Sequence, residues 1–258
     1  MSEQRFLEVA QAAAAAAADI IRYYYRAGVA VQEKADATPV TRADVESEQA
    51  IREIIEGAFP DHGFFGEETG QAALDAEYLW LVDPIDGTKA FVRGYPMFST
   101  QIALMHRGEL VLGVSSAPEF GELLWAQRGA GAWEGDRRLG VSAIDRLEDC
   151  ALSSGNLKSL AAGPAWGAYG RLVARVNRIR GYGDFLHYHL LARGAIDAVI
   201  ESDVNILDIA ALAVIVTEAG GRFTDLEGQP VGLATTSVLA STPRLHSPLQ
   251  AALADRTD

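Results

Sequence analysis

The run Leu79-Trp80-Leu81-Val82, followed at once by Asp83-Pro84-Ile85-Asp86-Gly87-Thr88, restricts this chain more than any other stretch. Four consecutive large apolar residues read as a buried strand. The two aspartates therefore emerge where that strand ends and a turn begins. They stand three apart across a proline, so a tight turn lets both carboxylates converge on one point. The segment Gly87-Thr88-Lys89-Ala90-Phe91-Val92 then offers backbone N–H groups of the kind that receive anions. Carboxylates beside such amides suit hard cations holding a phosphate, because Mg²⁺ is bound by a few carboxylates together with substrate oxygens. Two more acidic clusters stand far away in the chain: Gly66-Glu67-Glu68, and Asp208 within Leu207-Asp208-Ile209-Ala210-Ala211. A lone Asp-x-x-Asp is weak evidence; the three clusters together are strong.

Composition sets the outer limits. At 258 residues and 49% hydrophobic, the chain buries a sizeable core in one large domain or two modest ones. A formal charge of −13, from 22 basic and 35 acidic residues, argues against a nucleic-acid surface. Part of that excess belongs to the acidic clusters themselves, among them Glu67, Asp83, Asp86 and Asp208. The remainder reads as a solubilising surface. Cys150, the one cysteine, forms no internal disulfide and has no neighbour that marks it as a nucleophile, which suits a reduced compartment. The alanine run Ala12 to Ala18 lies between Glu8 and Asp19 and lacks the basic start and apolar centre of a secretory signal. No stretch approaches bilayer length. A soluble, cytoplasmic protein with no membrane and no nucleic-acid partner is expected.

Periodicity supplies the organisation. Phe6, Val9, Ala13, Ala16, Ile20 and Tyr24 predict a helix over 3–27, with Gly28 as its stop. Residues 34–44 read as a loop from their proline and small polar content. A second helix over about 43–57 carries Val45, Ile51, Ile54 and Ile55 as its apolar stripe, and a short strand over 64–67 ends in acids. Runs over 79–82, 98–105, 110–115 and 123–127 form an antiparallel meander, because the connections are too short for helical crossovers. A polar stretch places a boundary near 141–148, giving an N-terminal α+β part (1–145) with most metal ligands and a C-terminal α/β part (146–258) with Asp208 and the substrate side. In the second part, strands are expected at 151–155, 195–201, 223–225 and 237–240. Helices are expected at 169–178, 183–192 and 206–219. No internal repeat is present, and helices and sheets alternate as layers.

The residues Trp80 to Thr88, Gly66-Glu67-Glu68 and Leu207-Asp208-Ile209-Ala210-Ala211, with Glu218-Ala219-Gly220-Gly221, resemble the inositol monophosphatase superfamily over nearly the whole chain and in the expected order. The resemblance implies an α+β, layered αβαβα sugar-phosphatase fold. It also implies a Mg²⁺-dependent, Li⁺-sensitive phosphomonoesterase, usually a homodimer, with two to three Mg²⁺ per subunit. By position it implies Glu67, Asp83, the Ile85 carbonyl, Asp86 and Asp208 as metal ligands. Asp44 matches a loop acid that helps hold a labile metal, and Thr88 a hydroxyl that orients the attacking water; Asp44, Glu67 and Thr88 are thus the catalytic set. The Gly87 and Thr88 amides match the phosphate cradle. A water activated by metal is the implied nucleophile, with no covalent phosphoenzyme.

Within the superfamily, Lys34 to Asp44, Asp86 to Phe91, Gly183-Asp184-Phe185-Leu186 and Ile200-Glu201 resemble the histidinol-phosphatase branch. Its substrate, L-histidinol phosphate, carries an ammonium and an imidazole. The implied substrate-binding residues are accordingly acids: Asp86, Asp184, Glu201 and Asp208. An inositol ring would satisfy Glu201 through its hydroxyls, so inositol-1-monophosphatase is the alternative. Nucleotide bisphosphatase and fructose bisphosphatase rank lower, since no basic cluster for a second phosphate is visible. A non-enzymatic regulatory binding protein ranks last, with the acid set intact.

Several residues have plainer readings. Glu68 reads as a water-positioning or surface acid, and Lys34, Lys89 and Arg93 as solvated. His187 and His189, two apart on a helix, face different directions, and Mg²⁺ prefers oxygen, so structural or surface roles are expected. Arg171, Arg175, Arg178 and Arg180 fall at helical spacing as a solvated face or dimer rim. Trp125, Trp133 and Trp166 read as core or interface.

Overall fold

A computed structural model describes residues 3–27, 31–33 and 39–255. Gly28 as a helix stop and Lys34 as a solvated cation lie outside these residues. Helix α1 (Glu3–Ala27) is followed by a small antiparallel pair, β1 (Val31–Glu33) and β2 (Pro39–Thr41), and by α2 (Arg42–Ala58). An eight-stranded sheet comes next: β3 (Gly63–Gly66), β4 (Gly70–Ala72), β5 (Tyr78–Asp86), then helix α3 (Thr88–Val92), then β6 (Ser99–His106), β7 (Glu109–Ala117), β8 (Glu122–Gln127), β9 (Gly131–Glu134) and β10 (Arg137–Arg138). Its order is β10-β9-β8-β7-β6-β5-β3-β4. All pairings from β5 to β10 are antiparallel, as the short connections require; β3 alone runs parallel to β5.

The second half begins with β11 (Ala151–Gly155), α4 (Lys158–Ala162), α5 (Trp166–Val173), β12 (Arg178–Arg180) and α6 (Asp184–Ala192). It continues with β13 (Ala198–Ser202), α7 (Ile206–Glu218), β14 (Arg222–Thr224), β15 (Ser237–Ser241) and α8 (Pro243–Ala254). Its five strands order β12-β11-β13-β15-β14. Helices α1 and α2 cover one face of the large sheet, with Phe6, Ile21, Ile51, Ile55, Phe64 and Trp80 in that core. Helices α6 and α7 fill the space between the two sheets, and α4, α5 and α8 cover the outer face of the second. The result is a five-layer αβαβα stack of the α+β class. Helix α7 is buried nearly all round, which its continuous apolar sequence from Ile209 to Val216 dictates. No described helix is long and apolar enough to cross a membrane.

The structure departs from the sequence reading at several local points. Strand β5 does not end at Val82: it continues to Asp86 through a bulge between Asp83 and Asp86, which is where a proline in a central strand is tolerated. The expected loop over 34–44 holds β2 and the first turn of α2, so Asp44 is helical. The helix expected over 169–178 stops at Val173 because Arg178–Arg180 pairs with β11 as a parallel edge strand; Arg178 and Arg180 therefore share no helix face with Arg171. On α1 the buried face is Phe6, Ala10, Ala13, Ala14, Ala17 and Ile21, rotated from the expected stripe. Val45, placed in the α2 stripe, is exposed, and α8 was not anticipated.

Candidate active site

The bulge in β5 sets the geometry of the first acidic pair. Across it the register with β6 shifts, so Asp83 stands opposite Gln101 and Asp86 opposite Ser99. The Ile85 N–H donates to Asp83 Oδ1 at 2.9 Å, and Thr100 Oγ1 donates to the Pro84 carbonyl at 2.8 Å, which satisfies the irregular backbone. A third acid arrives from the other half of the chain. Asn205 caps α7 and accepts from the Leu207 N–H at 2.7 Å, while Asp208 in the first turn accepts from the Asn205 N–H at 2.9 Å. Asp83, Asp86 and Asp208 each bring a carboxylate oxygen within 4.8 Å of the others, the one such grouping among the described residues. Glu67, just past the end of β3, faces Asp83 from the exposed side, and its charge acts on that carboxyl.

Asp44 is held by the same device at the start of α2. Its Oδ2 accepts from the Thr41 N–H at 2.8 Å and from Thr41 Oγ1 at 2.7 Å. Its Oδ1 lies 3.2 Å from Thr88 Oγ1, which is also 3.0 Å from the Ile85 carbonyl oxygen; the single hydroxyl proton serves one of these acceptors at a time. Gly87, the N-cap of α3, takes φ 94° and so turns the chain from β5 into that helix.

Crowding of acids determines the electrostatics. Burial pushes Asp83 well above the ordinary carboxylate range, and Glu67, Asp86 and Asp208 push it further. Asp86 is raised by burial and then by Asp184, Asp208 and Glu201. Burial lifts Asp208 to about 7 against the opposing bonds from Asn205, with Glu67 and Glu201 adding to the rise. Asp44 is raised by burial, and its bonds to Thr41 and Thr88 oppose the rise. Such a set takes up positive charge readily, and its donors are all oxygen, which fits a hard divalent cation rather than a soft metal.

Beside the triad lies a cleft bordered by Asp86, Asn156, Asp184, Tyr188, Glu201 and Asp208. Glu201 Oε2 accepts from the Tyr188 hydroxyl at 2.7 Å and lies 3.1 Å from His187 Nε2, all three residues being buried. Asp184 opens α6 at φ 45°, and burial and Glu201 raise its pKa. The structure therefore brings together Asp44, Glu67, Asp83, Ile85, Asp86, Gly87, Thr88, Asp184, Glu201 and Asp208.

His187 and His189 are both buried and lie outside the acidic triad. His187 sits between Glu201 and Ser153, and His189 between Ser115 and Glu122. A surface role is excluded for both. Lys89 and Arg93 are exposed. Trp125 stacks on Trp133, whereas Trp166 is exposed and outside the core. Cys150 is buried, which pushes its thiol up to about 12. Three residues escaped the sequence reading: Asn205, Tyr188 and Glu48. Glu48 follows Asp44 by four residues and so shares its helix face, a signal that was present.

The family model of the inositol monophosphatase family matches residues 2–257. A histidinol-phosphatase of Mycobacterium tuberculosis is 41% identical over 221 residues, covering 84% of this chain and 85% of that protein. A histidinol-phosphatase of Streptomyces coelicolor is 40% identical over 234 residues, covering 85% of each. Among solved structures, the extragenic suppressor protein suhB of Bartonella henselae superposes with a TM-score of 0.88 at 34% identity, covering 96% of this chain and 98% of that one.

Proposed function

The chain belongs to the inositol monophosphatase family and is a phosphatase; we propose that it hydrolyses L-histidinol phosphate to L-histidinol and phosphate. The observation that carries the substrate is the anionic organic side of the cleft, where Asp184 and Glu201 stand beside the acidic triad. An ammonium and an imidazole find carboxylate acceptors there, as the names of the two similar phosphatases also suggest. We assign Glu67, Asp83, Asp86, Asp208 and the Ile85 carbonyl to holding Mg²⁺, two to three ions per subunit, with Asp44 supporting one of them. When bound, these ions supply charge that neutralises the phosphate oxygens and acidifies water. Thr88 and Asp44 hold and orient the proton of the attacking water at Thr88 Oγ1, and the Gly87 and Thr88 amides receive a phosphate oxygen. Homodimer formation, a cytoplasmic setting and the division at residues 145 and 146 belong to the same proposal.

The test is phosphate release from histidinol phosphate, inositol 1-phosphate, adenosine 3′,5′-bisphosphate and fructose 1,6-bisphosphate, with Mg²⁺ and with chelator. Preference for histidinol phosphate that chelator abolishes is expected. Preference for inositol 1-phosphate would move the substrate and keep the chemistry.

Replacing the Glu201 carboxylate by an amide should raise KM for histidinol phosphate about 10- to 100-fold, the worth of a charge-assisted bond of about 1.5–3 kcal/mol. The change in kcat should stay small. Steady-state kinetics of Glu201→Gln on both substrates read this directly; equal losses on histidinol phosphate and inositol 1-phosphate would remove Glu201 as the discriminator.

Protons and cations compete for the same oxygens. Since Asp208 titrates at about 7, it is increasingly protonated as pH falls below that value. The Mg²⁺ concentration for half-maximal activity should then rise about twofold from pH 8 to 7 and about fivefold from pH 7 to 6 for one competing proton. A Mg²⁺ titration at pH 6, 7 and 8 checks the slope, and a flat profile would contradict the competition.

A further inference from the structure

Helix α2 carries Asp44, Glu48 and Arg52 four residues apart on one face, and each reaches a different part of the site's framework. Asp44 meets Thr88. Glu48 is fully buried, and its two carboxylate oxygens accept from successive backbone amides: Oε2 from the Glu68 N–H at 2.8 Å and Oε1 from the Thr69 N–H at 2.5 Å. Arg52 donates to Thr69 Oγ1 at 3.1 Å. Gly66 makes the approach possible, because a Cβ there would stand 2.3 Å from Glu48 Oε1. The residue flanked by Gly66 and these two clamped amides is Glu67, whose carboxylate faces Asp83 closely enough to act on it by charge.

We propose that Glu48 is a positioning residue: by clamping the Glu68 and Thr69 amides from α2, it fixes where the Glu67 carboxylate stands relative to Asp83, and so sets the site's affinity for a divalent cation. The clamp and the Asp44–Thr88 contact share one rigid helix, so the loop after β3 and the turn after β5 are held in register from a single support. The role of Glu67 rests on the metal reading above; the clamp itself does not.

Glu48→Gln tests it. The amide keeps one acceptor and turns its NH₂ toward a backbone N–H, so one bond is lost and two donors face each other. Calorimetric Mg²⁺ affinity should fall about 10- to 100-fold, the usual cost of losing a supporting partner. At saturating Mg²⁺, kcat should return to within about threefold of the parent, and hydrogen exchange over 66–72 should quicken. Glu48→Asp, which withdraws the carboxylate by one methylene and keeps its charge, should give an intermediate loss. Unchanged Mg²⁺ affinity in both variants alongside a lowered Tm would overturn the proposal, leaving Glu48 a purely structural acid. Should the parent bind no Mg²⁺, the metal reading falls; exchange at the Glu68 and Thr69 amides still decides the clamp, and protection unchanged in Glu48→Gln overturns it.

Discussion

Asp83→Asn should lower phosphatase activity by about three orders of magnitude or more, about 4 kcal/mol of barrier, while making the chelator-treated protein more stable. Both effects come from one carboxylate. Asp83 is buried at the centre of the acidic group, with its pKa raised by burial, Glu67, Asp86 and Asp208. The variant keeps an acceptor for the Ile85 N–H, now 2.9 Å from Asp83 Oδ1, so the bulge in β5 survives. It loses the charge that a divalent cation requires. A carboxyl whose folded-state pKa is raised favours folding below its unfolded pKa and loses that contribution as pH rises through the folded value. The parent without metal is therefore least favoured at high pH, and the asparagine removes that burden. A gain of about 1 kcal/mol corresponds to roughly 2–4 °C for a chain of this size. Melting curves in chelator at pH 8 and pH 5 should show Asp83→Asn above the parent at pH 8 and the gap narrowing at pH 5. Turnover comparable to the parent would remove Asp83 from the metal site. A variant less stable at both pH values would mean the repulsion is not felt in the folded protein.

How much of this site was legible depended on whether the decisive interaction was local. Asp83, Asp86 and Asp208 announced themselves because each sits at a boundary that sequence marks: an apolar run meeting a proline and a glycine, and a polar residue opening an apolar helix. Their convergence came from the sheet. The bulge that aims Asp83 and Asp86 exists only because β6 pairs with both sides of it, and a single strand carries no record of its partner's register. Asp44 reads as a loop acid because Pro39 and the small residues before it suppress a helix signal, whereas the capping box formed by Thr41 and Asp44 starts α2 at Arg42 and puts Asp44 in its first turn. Glu48 is hidden in the sequence for a different reason. An isolated glutamate on a helix is normally solvated, and its burial depends on the absence of a side chain at Gly66, eighteen residues on. The α1 face shows the same limit. Along a run of alanines hydrophobicity marks no side, and the buried side is chosen by which backbone stretch approaches the sheet.

Gly87→Ala should cost about a hundredfold in kcat/KM together with a clear loss of stability, and Gly94→Ala provides its control. Both glycines adopt left-handed backbone, at φ 94° and φ 75°, where an L side chain costs about 1 kcal/mol or somewhat more. They differ in their surroundings. A Cβ at Gly94 meets nothing within 4 Å, whereas one at Gly87 would lie 2.4 Å from the Met97 carbonyl oxygen, a backbone atom that cannot swing aside. Relief at Gly87 must come from moving α3, because its carbonyl accepts from the Ala90 and Phe91 amides and it is the hinge between β5 and that helix. Any such movement displaces Thr88 Oγ1 from Asp44 and from the Ile85 carbonyl, at 3.2 and 3.0 Å, and moves the amides assigned to the phosphate. A displacement of about 1 Å in a positioned group is enough for a hundredfold loss. Measured side by side, Gly94→Ala should show the stability cost of backbone strain with near-parental kcat/KM, and Gly87→Ala both losses. Equal kinetic behaviour in the two variants would mean that the turn after β5 tolerates movement, and the Thr88 assignment would have to be given up.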